Sequence, residues 1–153
     1  MLNFCLPGIG ALLLPSLACL AQKLLKKHEA LLFAYCKGNG QDGLHLATSP
    51  DGLQWTALYQ DKSFLMPTVS KDKLMRYPYL IRGHDGRFHL VWTTSWHQRG
   101  IGYAASKDLI HWGKQQAISV MTQEATAKNC WAPGMRYGTV LHTTKQELAQ
   151  LPQ

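Results

Sequence analysis

The sequence predicts an all-β fold, and three observations carry that prediction. Glycine, tryptophan and tyrosine are plentiful, at 13, 5 and 6 of 153 residues, as sheets and tight turns require. The aliphatic residues fall into short runs rather than helical stripes. A unit made of two such runs, separated by glycine- and serine-containing turns, occurs twice at a fixed spacing. With 46% hydrophobic and 16% charged residues, the chain has the composition of one cored domain rather than of a disordered segment.

The first element differs from the rest. Met1 to Ala21, MLNFCLPGIGALLLPSLACLA, holds no charged residue, has an apolar centre and ends in small residues before Gln22-Lys23. It reads as a signal-peptide-like segment over residues 1–21, which makes a secreted or periplasmic location the expectation. Cleavage after Ala18 or Ala21 fits the small-residue rule, and Cys19 after Ser16-Leu17-Ala18 offers a lipid-anchor position. No positive n-region precedes the segment, and Pro7 and Pro15 interrupt it as a helix. An apolar helix buried in the fold therefore stands as an alternative. A membrane span is a third reading, although the uninterrupted run is shorter than the roughly 20 residues a bilayer needs.

Charge and cysteine usage narrow the function classes. The formal charge is +7, yet the basic residues are scattered, with the densest group at Lys23, Lys26 and Lys27. That is a solvated face or linker rather than a nucleic-acid footprint, so no nucleic-acid partner is expected. No Cys-x-x-Cys, His-x-x-x-His or His-Glu-x-x-His spacing occurs among 4 cysteines and 7 histidines. No metal site is expected from these spacings. Cys36 and Cys130 lie beyond the signal-like segment; an oxidising compartment permits a Cys36–Cys130 disulfide, and two small buried hydrophobes are the other reading. The histidines are expected at solvated or strand-edge positions.

The repeat defines the remaining elements. GLHLATSPDGLQW (Gly43 to Trp55) aligns without a gap on GIGYAASKDLIHW (Gly100 to Trp112), 57 residues later. The same offset lays Leu31–Cys36 on Phe88–Thr93. Each unit reads as an apolar strand (Leu31 to Tyr35, or Phe88 to Thr94), a polar turn and a second strand (Leu44 to Thr48, or Ile101 to Ala105). A serine–aspartate turn follows, and then a tryptophan suited to wedging between sheets, Trp55 or Trp112. Asp42, Asp51, Asp85 and Asp108 are turn formers on this reading. Short antiparallel strands with recurring aromatic signposts describe β-propeller blades, and a β-sandwich explains the long ungapped repeat less simply. A third partial match sets Trp131-Ala132-Pro133 on Arg76-Tyr77-Pro78. Both stand at the start of a blade's first strand, where proline forfeits no ladder bond and the preceding residue points into the axial channel.

GLHLATSPDGLQW, MRYPYLIRGHDGRFHLVWTTSW, IGYAASKDLIHW and NCWAP in this order resemble glycoside hydrolase family 43, the five-bladed propellers that act on arabinose- and xylose-containing polysaccharides. The resemblance spans about Ala30 to Pro133. It implies a carbohydrate partner and no cofactor. It also implies a general base, an aspartate in the family's Arg-Asp-Pro, beside a glutamate acid and a further aspartate, with two carboxyls roughly 6.5–9.5 Å apart for inversion. Here the motif reads Arg76-Tyr77-Pro78, so Tyr77 occupies the base position, and a phenol with a pKa of about 10 is a poor base at neutral pH. Gly134 likewise replaces the acidic residue after Trp131-Ala132-Pro133. The expected site therefore has no intact catalytic residue. Its substrate-binding candidates are Arg76, Tyr77, Trp96 and Trp131, the tryptophans stacking on a sugar ring and Arg76 donating to a hydroxyl or carboxylate.

The resemblance also sets the domain plan: a signal-like segment (1–21), a partial five-bladed propeller (22–133) with repeat units at about 30–72 and 76–130, and a divergent tail (134–153). That tail loses the blade pattern and turns helix-prone near its end. The expectation is a propeller-like fragment of about two four-stranded blades, a truncated or inactive glycosidase relative. A non-catalytic carbohydrate-binding fragment is the alternative. Self-association is expected through its open blade edges.

Overall fold

Alternating apolar and polar residues give each strand two unlike faces. In β1 (Glu29–Tyr35), Ala30, Leu32 and Ala34 are buried while Leu31, Phe33 and Tyr35 are partly exposed. The same alternation runs through β5 (Phe88–Thr93), where Phe88, Leu90 and Trp92 are buried. The structure is a computed structural model and describes residues 28–120, 122–123 and 138–153. The N-terminal segment with Cys19, together with Cys130, Trp131 and Gly134, lies outside the described residues.

Besides β1 and β5, the strands are β2 (His45–Ser49), β3 (Thr56–Ala57), β4 (Arg76–Arg82), β6 (Gly100–Ser106), β7 (Gln116–Ser119) and β8 (Gly138–Thr144). They form two four-stranded antiparallel sheets, ordered β3-β2-β1-β8 and β4-β5-β6-β7. This is the all-β pair of blades that the sequence predicts. Among the described residues no helix is long and apolar enough to cross a membrane.

The tail supplies a strand that the sequence does not announce. β8 runs through residues expected to lack the blade pattern and pairs with the whole of β1, from Glu29↔Thr144 to Tyr35↔Gly138. The first repeat unit contributes only three strands, and β8 completes its sheet as β4 completes the second. Phe33 faces Val140 as Leu90 faces Leu80, and Phe33 and Leu90 are 57 residues apart. The chain then ends in a single helical turn, α1 (Lys145–Leu148), closed by a capping box. There Thr144 Oγ1 accepts from the Glu147 amide at 3.2 Å, and Glu147 Oε2 accepts from the Thr144 amide at 3.0 Å. Arg82 of β4 pairs with the same glutamate, and Leu151 enters the core.

The repeat extends to individual hydrogen bonds. Ser49 Oγ accepts from the Gly52 amide at 2.8 Å, and Asp51 Oδ1 accepts from Leu53 and Gln54 at 2.9 and 3.1 Å. Ser106 Oγ accepts from Leu109 at 2.9 Å, and Asp108 Oδ1 accepts from Ile110 and His111 at 3.0 and 2.7 Å. Both tryptophans then donate back into their turns, Trp55 to Gly52 O and Trp112 to Leu109 O. Asp51 and Asp108 are thus turn formers, and Asp85 also accepts within its turn from the Arg87 amide. Asp42, in the bend before β2, sets its carboxylate against His45.

One core lies between the sheets, where Leu32, Ala34, Leu44 and Leu46 meet Leu80, Phe88, Leu90 and Trp92. Trp112 packs against this core, as a wedge should. Trp55 does not: it is 36% exposed on the opposite face of the first sheet, because only the second unit's tryptophan has a sheet to wedge against. Close packing at the centre depends on Gly102, where any Cβ would overlap the Trp92 indole. Gly102→Ala should destabilise the fold by about 1–3 kcal/mol through overpacking, read as a lower midpoint in urea unfolding monitored by tryptophan fluorescence. An unchanged midpoint would show that the ring yields freely.

Candidate functional site

The site is built where β4 begins. Arg76 pairs with Thr93 and Tyr79 with Val91, so Tyr77 and Pro78 together oppose Trp92 in a bulge. Pro78 is accordingly the third residue of β4 rather than its first, and its missing N–H falls in the bulge. Tyr77 adopts φ 51°, a left-handed conformation uncommon for a bulky side chain and costing on the order of 1–3 kcal/mol. Strain of this kind persists only where the surroundings over-determine it. Here β8 does so: Thr139 Oγ1 donates to Pro78 O at 2.9 Å and accepts from the Leu80 amide at 3.3 Å.

Two loops converge on the bulge. The loop after β1 reaches it through Gly40, whose carbonyl accepts from the Met75 amide at 2.7 Å. Gly40 has φ 80°, and a Cβ there would overlap Met75 O, so only glycine fits. The loop after β5 carries Trp96, which is 41% exposed. Between them Arg76 stacks its guanidinium on the Trp96 ring, 3.4 Å from the centroid, with Tyr77 at 5.2 Å. It donates to Asn39 Oδ1 at 2.7 Å and to Tyr77 Oη at 3.2 Å. Three of the four sequence candidates, Arg76, Tyr77 and Trp96, are therefore brought together, and Trp131 lies outside the described residues. Asn39 is an addition to them, since nothing in its own stretch of sequence marks it.

The arrangement presents a planar cation, an indole and a phenol at the start of the edge strand β4. It offers hydrogen-bond donors and aromatic surface for a polyhydroxylated ring. Among the described residues, Arg76 engages Asn39, Tyr77 and Trp96. Cys36 is half-buried beside it, and burial pushes its thiol up, away from a reactive thiolate. Among the described residues no cluster of His, Cys, Asp or Glu could hold a metal ion.

A second polar group adjoins the same loop and is not marked in the sequence. His45, expected to be solvated or at a strand edge, is only 2% exposed. Its Nε2 meets Asp42 Oδ2 at 3.0 Å, and its Nδ1 stands 3.1 Å from Asp61 Oδ1 without forming a hydrogen bond. Asp61 also accepts from Tyr35 Oη at 2.6 Å and from Lys37 Nζ at 3.0 Å. It closes a 3-10 turn (Tyr59–Asp61) in which all three residues have positive φ, 54°, 53° and 58°. Each left-handed residue costs roughly 1–2 kcal/mol, and the contacts of Asp61 offset that cost. The cluster reads as a clamp fixing this turn to β1 and β2.

Both groups of contacts are open to measurement. A double-mutant cycle on Arg76→Ala and Trp96→Ala should give a coupling of about 0.5–1 kcal/mol in unfolding free energy, as for an exposed cation–π pair; strict additivity would mean that the stack contributes nothing. The hydrogen bond from Tyr35, then that from Lys37, lowers the Asp61 pKa. The resulting stability is present above the unfolded carboxylate value of about 3.9 and lost as pH falls through the native one. Asp61→Asn should flatten the acid limb of stability against pH, and an unaltered limb would remove Asp61 from that role.

A family model described as "Probable glycosyl hydrolase domain" and related to glycoside hydrolase family 43 matches residues 26–148. No curated protein matches the chain, and no solved structure does.

Proposed function

The chain belongs to the glycosyl hydrolase family 43-related domains, and from that premise we propose that it binds arabinose- or xylose-containing oligosaccharides without hydrolysing them. The observation that carries this reading is the strained bulge holding Tyr77 beside the Arg76–Trp96 stack. By the family resemblance Tyr77 stands where the base would be. Inverting hydrolysis needs a carboxylate to deprotonate water on one face of the sugar while an acid protonates the leaving oxygen on the other. A phenol is a poor general base, so on this reading the water is left unactivated. Recognition makes no such demand: an indole can receive the apolar face of a ring, and guanidinium N–H groups can donate to its hydroxyls. Export belongs to the same proposal, because residues 1–21 are signal-peptide-like and such polysaccharides are encountered outside the cell.

Calorimetric titration with arabinan and xylan oligosaccharides tests recognition, and assay of new reducing ends over long incubation tests turnover. Saturable binding that weakens about tenfold or more (about 1.4 kcal/mol) in Trp96→Ala, with no product formed, is expected. Product above the blank would replace the reading with a hydrolase using another base. Absence of binding to either class would remove sugar recognition.

A further inference from the structure

Among the described residues, the first sheet buries one face against the second and leaves the other uncovered. On that outer face Phe33, Tyr35, Ala47, Trp55, Ala57 and Val140 line an apolar concavity of about 390 Å³. Phe33 stacks on Tyr35 with centroids 5.4 Å apart, and Trp55 tilts onto Phe33 at 5.6 Å. Their polar atoms are already engaged, Tyr35 Oη with Asp61 and Trp55 Nε1 with Gly52 O. This is an apolar, aromatic sheet face of the kind that proteins bury.

The repeat states what such a face packs against. Shifted by 57 residues, Phe33, Tyr35 and Trp55 become Leu90, Trp92 and Trp112, three side chains in or against the core between the sheets. Conversely, Leu32, Ala34 and Leu46, which receive them there, become His89, Val91 and Tyr103. Those three lie on the outer face of the second sheet with Ile81 and Ile118, 43% and 39% exposed. The chain therefore displays the positions equivalent to both halves of its own internal interface, one set on each outer face, with His89 and Tyr103 standing where Leu32 and Leu46 pack inside.

We propose that a second copy of this chain covers the groove, setting the outer face of its β4-β5-β6-β7 sheet on the outer face of the β3-β2-β1-β8 sheet. Each junction repeats the internal one, so the contact is heterologous, head to tail, and adds two blades per copy. Successive copies form a ring if the rotation closes and an open chain if it does not. The contact runs through sheet faces rather than through the open strand edges, and it is independent of whether the Arg76 site binds sugar.

Sedimentation equilibrium of the full 153-residue chain, with two exposed substitutions, tests this. Val140→Glu places a charge in the first sheet's groove, and Ile81→Glu places one on the second sheet's outer face. Wild type should show masses at multiples of 17.2 kDa, and each variant alone should remain at the single-chain mass. An equimolar mixture should form a dimer and nothing larger, because each variant keeps the one face that the other lacks. Near-UV circular dichroism checks that the variants fold; Trp55→Glu and Ile118→Glu replace either one that does not. A wild type that stays at the single-chain mass would overturn the proposal, including the case in which residues 1–27 of the same chain fill the groove. So would a single variant that associates like wild type, or a mixture of folded variants that remains monomeric.

Discussion

The face-to-face packing of Phe88, Leu90 and Trp92 on Leu32, Ala34 and Leu46 is the interaction on which the rest of the structure depends. Neither sheet encloses a core alone, so each is stable only through the face it shares with the other. The Trp92 ring reaches that core because Gly102 leaves room for it. Burying a side chain of this size contributes several kcal/mol, comparable with the whole stability of a small domain. With the sheets in place, β4 and β8 lie side by side, and Thr139 ties them together across the bulge. The strained backbone at Tyr77 is thus sustained by the central packing rather than by its own loop.

A duplicated sequence unit has a further physical consequence. Two copies of one blade must use the same two faces, yet a single internal interface occupies only one face of each. Among the described residues one uncovered face of each kind remains, and this is why Trp55 and Trp112 share a type of turn, a hydrogen bond and a sequence context but not an environment. The difference between them is topological and appears in neither residue's neighbours along the chain.

Much of this is legible in the residues. The strand pairs β1–β2 and β5–β6, the serine–aspartate turns and the placement of Arg76, Tyr77 and Trp96 at one site come from repeat and motif. β8 is not legible because Gly138–Thr144 lacks the turn and tryptophan that mark the repeat units, and it is held by the open edge of β1 and by β4 through Thr139. The buried His45 and its carboxylates are hidden for a related reason. Asp61 reaches His45 only through a turn of three left-handed residues, which no local propensity forecasts. Asn39 joins the site by loop packing at Gly40, again a long-range contact.

The family match spans β1 to α1, and the fold brings Arg76, Tyr77 and Trp96 together within that span. The Arg76–Trp96 stack rests on the start of β4, and the bulge at Tyr77 is tied to β8 through Thr139. Both statements presuppose that β8 belongs to the same cooperative unit as the two repeat-derived sheets. Native-state hydrogen exchange measures this directly. The β8 amides that face β1, such as those flanking Leu141, should open with the same free energy as those of Leu90 and Trp92 in β5. Exchange through β8 that is orders of magnitude faster than through β1 and β5 would contradict it, leaving the first sheet three-stranded and the bulge at Tyr77 without its support.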